Sequence, residues 1–147
     1  MDVFLKFRVP SDPRFLPVIR AAVGELGLVC GLRGEECRGI TLAVDEALAN
    51  IIRHAYRGAP DRAIEVTCES RKDRLDFTLL DHGEPPDPAR LGAHPLDDVA
   101  LGGRGTHIIR MVMDEVRYER VPRGNQVRLS KRLPTAEIVA EGSKEGI

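Results

Sequence analysis

The chain has 147 residues, 42% apolar and 31% charged, with 22 basic against 23 acidic side chains and a net charge of -1. This composition suits one compact domain and excludes global disorder or a fibrous repeat; the charge balance lacks the basic excess of a phosphate-backbone binder, so no direct nucleic-acid contact is expected. No apolar run reaches the roughly 18 to 20 residues of a membrane span, no signal pattern opens the chain, and Cys30, Cys37 and Cys68 form neither a disulfide framework nor a CxxC pair, so a cytoplasmic protein without a membrane partner is expected.

Val3, Leu5, Phe7 and Val9 alternate with Asp2, Lys6 and Arg8, which predicts a half-buried strand ended by Pro10. Ser11 reads as the N-cap of a first helix, whose apolar face is Phe15, Leu16, Ile19, Val23 and Leu26 and whose stop lies between Gly27 and Gly34. A second helix opens with Glu35 and Glu36 at the positive end of its dipole and carries the stripe Ile40, Val44, Leu48, Ile51, Ile52 and Ala55 to about Tyr56. After the turn Gly58-Ala-Pro-Asp61, Ile64, Val66 and Cys68 alternate as a strand, and Lys72-Asp73 joins it to an antiparallel partner through Leu75, Phe77 and Leu79, ending at Leu80-Asp81.

Periodicity then stops: four prolines and five glycines fall in the 24 residues from His82 to Gly105, which predicts a long functional loop. A third helix is expected from Thr106 to about Asp114, then a second hairpin around Pro122-Arg-Gly-Asn125. Residues 1–133 are read as the domain and 134–147 as a flexible tail. Hairpins segregated from helices predict an α+β two-layer sandwich, with about three helices on one face of a largely antiparallel mixed sheet.

Three constellations suggest chemistry. Glu46 and Asn50 sit four apart on one face of the second helix, with Arg53 and His54 continuing the polar edge. A carboxylate beside an amide suits a general base next to a ligand for hydrated magnesium; it equally suits a solvated helix face. Asp81, closing an apolar strand before Gly83, offers an acceptor for an exocyclic amino group where glycine lets a ligand approach, or simply marks a turn. Gly102-Gly103-Arg104-Gly105 leads into the third helix, where backbone N–H groups and a helix amino terminus favour phosphate, although neither a Walker A loop nor a dinucleotide-binding fingerprint is present. The four histidines show no metal-ligand spacing.

The ordered combination of Leu42-Ala-Val-Asp-Glu46-Ala-Leu-Ala-Asn50-Ile-Ile-Arg-His54-Ala-Tyr56, Asp81-His-Gly83, Gly102-Gly-Arg-Gly105 and Gly124-Asn-Gln-Val-Arg-Leu resembles the anti-sigma factor serine kinases of the RsbW-like family, in the GHKL or Bergerat-fold ATP-binding superfamily. The resemblance spans roughly residues 3 to 133. It implies that Glu46 is the catalytic base and that Asn50 reaches magnesium held by the ATP phosphates. Asp81 would read the adenine amine, Gly83 would shape its pocket, and Gly102, Gly103, Arg104 and Gly105 would form the lid and phosphate contact, with His54 and Thr106 counted among the nucleotide-binding residues. Where relatives often have Gly-Leu-Gly-Leu-Phe or Gly-Arg-Gly-Leu-Phe, this chain has Arg104-Gly-Thr-His107, a departure in the lid itself. By resemblance the protein would be a homodimeric bacterial serine/threonine kinase that uses ATP and Mg2+ to phosphorylate a STAS-type anti-sigma factor antagonist and sequesters a sigma factor. The competing reading is a non-catalytic ATP-binding switch that regulates a partner by nucleotide-dependent binding. An ATPase or sensor-kinase catalytic fragment is disfavoured, since no helix with a phospho-accepting histidine precedes the domain.

Overall fold

A computed structural model describes residues 2–85 and 104–134. Five strands, β1 (Phe4–Pro10), β2 (Ala63–Arg71), β3 (Arg74–Asp81), β4 (Glu115–Val121) and β5 (Gly124–Arg132), form one sheet in the order β1-β2-β3-β5-β4. Every pairing is antiparallel, so among the described residues the sheet contains no parallel pair of the expected mixed kind. Three helices, α1 (Leu16–Val29), α2 (Gly34–Asn50) and α3 (Arg104–Val112), cover one face, α2 packing between the other two.

The sheet alternates as its sequence dictates. Ile64, Val66 and Cys68 of β2, Leu75, Phe77 and Leu79 of β3, and Val127 and Leu129 of β5 point toward the helices and are buried. They meet Ile19, Val23 and Leu26 of α1 and Ile40, Ala43, Val44, Ala47 and Leu48 of α2 in one core. On the other face the strands carry charge, with Arg74 bridging Asp76 and Glu115. Removal of the helix-facing apolar groups from water supplies the drive that fixes β2, β3 and β5 as the sheet centre.

The helix ends differ from expectation in two places. Ser11 does not cap α1: it is fully buried, donating its hydroxyl to the Ala59 carbonyl at 2.5 Å and accepting from the Arg62 amide at 3.0 Å, a tertiary tie between β1 and the turn before β2. Asp12 instead accepts from the Arg14 amide and caps a single 3-10 turn, Pro13–Phe15, ahead of α1. The third helix begins at Arg104 rather than Thr106, so Arg104 and Gly105 lie inside its first turn. At the start of α2, the Arg33 amide donates to the Glu36 carboxylate at 2.8 Å, satisfying a free amide beside the helix as the acidic opening predicts.

Past Asn50, α2 continues as a widened π turn, Ile51–Ala55, in which the Tyr56 amide bonds back to the Ile51 carbonyl. The expected reach to about Tyr56 is therefore met, but the last turn is not α-helical. Beyond 134 the expected tail lies outside the described residues.

Candidate functional site

The carboxyl end of α2 and the ends of β3 and β5 converge on one place. The Ala55 carbonyl accepts from the Glu84 amide at 2.9 Å, which ties the π turn to the segment leaving β3. That bond requires Gly83: a Cβ there would stand 2.3 Å from the Ala55 oxygen and 2.6 Å from its carbonyl carbon. Tyr56, buried at the end of the turn, accepts from the His82 amide at 2.8 Å and donates its hydroxyl to the Ala63 carbonyl at 2.5 Å. Two loops and two strand ends are thus fixed around Asp81.

Asp81 is 4% exposed. Its Oδ1 accepts from the Gly83 amide and from Asn125 Nδ2, each at 2.9 Å. Burial raises its pKa above the ordinary 3.8, opposed by the donors from Asn125 and Gly83 and by nearby His82. Asn125 faces Asp81 across the β3–β5 register and also donates to the Gly83 carbonyl at 3.1 Å. Gly124 before it has φ 149°, and a Cβ there would stand 2.0 Å from the Asp81 carbonyl oxygen, so only glycine brings β5 this close. The His82 ring bonds the Arg123 carbonyl on the same hairpin. Gly124 and Asn125 stand at the sequence level as a turn signal; only the register shows Asn125 as a partner of the site carboxylate.

Glu46 and Asn50 both lie on the last turns of α2 and are half-buried, as their spacing predicts. Arg53 donates to Asn50 Oδ1 at 2.8 Å, while His54 is exposed within the π turn. The widened turn therefore interrupts the four-residue spacing from Asn50 to His54. Among the described residues no cluster of three or more His, Cys, Asp or Glu side chains could form a metal cage. One amide oxygen beside one carboxylate fits a cation delivered with its own waters and phosphates, the habit of magnesium, better than a resident ion.

Arg104, Gly105 and Thr106 form the first turn of α3, which is seated on the core by buried Ile109 and Met113. Gly102 and Gly103 lie outside the described residues. The helix amino terminus expected after the glycines is present, with two of their companions inside it. No helix among the described residues is long and apolar enough to cross a membrane.

A family model described as Histidine kinase-like ATPase domain matches residues 9–131. The chain is 30% identical over 125 residues to the serine-protein kinase RsbW of Bacillus pumilus, covering 78% of this chain and 77% of that protein. It is 27% identical over 124 residues to the serine-protein kinase RsbW of Bacillus subtilis, covering 79% and 78%. Among solved structures it is similar to the SiaB-SiaC complex from Pseudomonas aeruginosa, with a TM-score of 0.62, 17% identity and 88% of each chain covered. It is also similar to the histidine kinase domain of the Erythrobacter litoralis EL346 blue-light activated histidine kinase, with a TM-score of 0.58 and 18% identity over 89% of this chain. This chain spans 64% of that histidine kinase chain, a likeness of fold alone.

Proposed function

The chain belongs to the histidine kinase-like ATPase domain family, in its RsbW-like branch, and from that premise we propose that it is a serine/threonine protein kinase that binds Mg-ATP and phosphorylates a small protein antagonist. The observation that carries the reading is the junction of α2 with the end of β3, where the Gly83–Ala55 approach holds the Asp81 carboxylate beside the helix that bears Glu46 and Asn50.

Asp81 accepts the adenine amine, and Gly83 keeps the wall beside it free of a side chain. The amino terminus of α3, with Gly102, Gly103, Arg104, Gly105 and Thr106, receives the phosphates through backbone N–H groups and dipole. His54 is counted among the nucleotide-binding residues on the family resemblance alone. Asn50 Oδ1, once the Arg53 guanidinium swings off it, would hold the magnesium that neutralises phosphate charge. Glu46 accepts the proton of the attacking serine hydroxyl as its oxygen bonds the γ-phosphorus and the bond to the ADP oxygen breaks. Such transfer asks mainly for positioning and charge stabilisation, which two braced layers supply.

The phosphorylated protein is a STAS-type anti-sigma factor antagonist, and the alternate partner is a sigma factor that the protein, as a homodimer, sequesters. These partners rest on the RsbW likeness. A second reading, an ATP-dependent binding switch without transfer, is favoured by the likeness to the SiaB-SiaC complex, a structure of a similar chain held with another protein, and by the Arg104-Gly-Thr-His107 departure in the lid.

Incubation with γ-labelled ATP, magnesium and a STAS-type antagonist protein from the same genome separates the two. Transfer of label to a serine, abolished in Glu46→Ala while ATP binding persists, is expected. Nucleotide-dependent partner binding without transfer selects the switch, and transfer undiminished in Glu46→Ala removes Glu46 from its role.

A further inference from the structure

Asn50 is the last residue of α2 and Arg53 stands in the middle of the π turn that follows, so the bond from Arg53 Nη2 to Asn50 Oδ1 at 2.8 Å crosses the junction of the two. Neighbouring arginines choose a different kind of acceptor. Arg20 of α1 pairs with Asp45 of α2 at 2.8 Å, and Arg57, just past the π turn, pairs with Glu84 at 2.7 Å. Arg53 is exposed and forms no ion pair among the described residues; its guanidinium rests on the oxygen of a neutral amide. That oxygen is the one proposed above for magnesium, so a positive charge already stands where the metal's charge would act. An amide oxygen has two lone pairs, but a divalent ion and a guanidinium on the same oxygen repel strongly, and one must leave for the other to bind. An exposed contact between residues three apart on a helix is weak, which makes Arg53 the one that leaves.

We propose that Arg53 is a placeholder for the metal: in the empty site its guanidinium occupies Asn50 Oδ1, and magnesium arriving with the nucleotide displaces it. Arg53 is thereby a positioning residue that acts through Asn50 and sets the magnesium concentration at which Mg-ATP binds. This rests on the nucleotide-binding reading above. While the site is empty, the bond turns the Asn50 amide so that its oxygen, and not its NH2 group, faces an incoming cation. The same bond must break before the metal is held, so it orients the ligand and competes for it at once. Nucleotide without magnesium leaves the bond in place, because nothing then contends for the oxygen. An arginine that served the phosphates would favour nucleotide with and without metal alike, whereas a placeholder opposes only the metal-loaded form.

The test follows ATP binding by calorimetry across a magnesium titration, and again in EDTA, for wild type, Arg53→Met, Arg53→Lys and Arg57→Gln. Arg53→Met keeps a long, helix-forming side chain and removes the donor and its charge. Its half-saturating magnesium concentration is expected to fall about two- to fivefold, the size of an exposed hydrogen-bonded pair, while its ATP affinity in EDTA stays that of wild type. Arg53→Lys, a charge without the planar fork, is expected to fall between the two. Arg57→Gln removes a charge four residues on without touching Asn50 and is expected to leave the midpoint where it was; an equal fall there means that charge alone acts and overturns the proposal. Weaker ATP binding by Arg53→Met with and without magnesium makes Arg53 a phosphate contact and also overturns it, as does an unmoved magnesium midpoint. A second readout needs no turnover: the Asn50 side-chain amide resonances are expected to differ between wild type and Arg53→Met in the empty protein and to coincide once Mg-ATP is bound. Resonances that already coincide in the empty protein sink the placeholder whatever the titrations give. Wild-type ATP binding indifferent to magnesium overturns the metal reading of Asn50 itself, a result distinct from magnesium-dependent binding that ignores Arg53.

Discussion

Asp81 is a buried carboxylate kept for what it touches. Its pKa is raised by burial, so the folded state holds the proton more tightly than the unfolded chain. The stability tied to that group is present in full below the ordinary 3.8 and is lost as pH rises through the raised value, and at neutral pH the ionised form is held against its own preference. Asp81→Asn keeps an acceptor for Gly83 and Asn125 but removes the charge. Its melting temperature at pH 7 is expected to equal or exceed that of wild type, while ATP binding falls at least about tenfold because an amide NH2 then faces the base amine. A lowered melting temperature with intact binding would make Asp81 structural. Gly83→Ala is expected to behave oppositely: a methyl driven against the Ala55 carbonyl breaks the tie to the π turn, costing about 1–3 kcal/mol by denaturant titration and nucleotide affinity with it. Asp81 and Gly83 stand out as a pair through the family resemblance, since Asp-x-Gly by itself reads as a turn; the structure adds the close approach of Gly83 to Ala55. Asn125 does not stand out, since Gly-Asn after a proline reads as turn-forming and its bond to Asp81 comes from a register with a strand 44 positions away.

At the scale of elements, hydrophobic periodicity carried the hairpins and the α1–α2 pair because each buries one face, and burial writes itself into spacing. Two features escaped it. The π turn Ile51–Ala55 keeps apolar Ile51 and Ile52 buried, so its stripe looks helical, although the wider turn is what lies beside the carbonyl that receives the Glu84 amide. Ser11 looked like a cap because its type and place suit one, but a hydroxyl that bonds Ala59 and Arg62 serves a contact no local pattern contains. The glycine segment reads as a loop, yet two of its residues lie inside α3. That helix is short, and its seat on the core is Ile109, fully buried, with Met113 just beyond its end. Ile109→Ala is expected to cost about 2–4 kcal/mol in equilibrium unfolding. Because α3 carries the turn proposed to receive phosphate at its other end, the same variant is expected to raise KM for ATP more than it lowers kcat. Unchanged KM in a destabilised variant would separate the helix from nucleotide binding.

Across the whole molecule, the proposed site is divided between layers: Glu46 and Asn50 come from the central helix, the turn proposed to receive phosphate from α3, and Asp81, Gly83 and Asn125 from the ends of central strands. Among the described residues, the polar bonds that join the two layers at this end include Glu84 to Ala55, His82 to Tyr56 and Tyr56 to Ala63, whereas the core cluster between the layers is built of apolar side chains. A nucleotide whose base contacts the sheet and whose phosphates contact the helices adds a second connection between layers, and it binds the folded state only. Linkage then fixes the size of the effect: at a ligand concentration 100 times Kd the folded state gains about 2.7 kcal/mol. For a domain of this size that gain corresponds to a rise in melting temperature of roughly 5–10 °C. Mg-ATP is expected to produce that rise, AMP a smaller one because it lacks the β- and γ-phosphates that reach α3, and Asp81→Asn almost none. Equal shifts with AMP and ATP would mean that the base alone is held and that α3 takes no phosphate, which would leave a nucleotide-binding fold without the geometry for transfer.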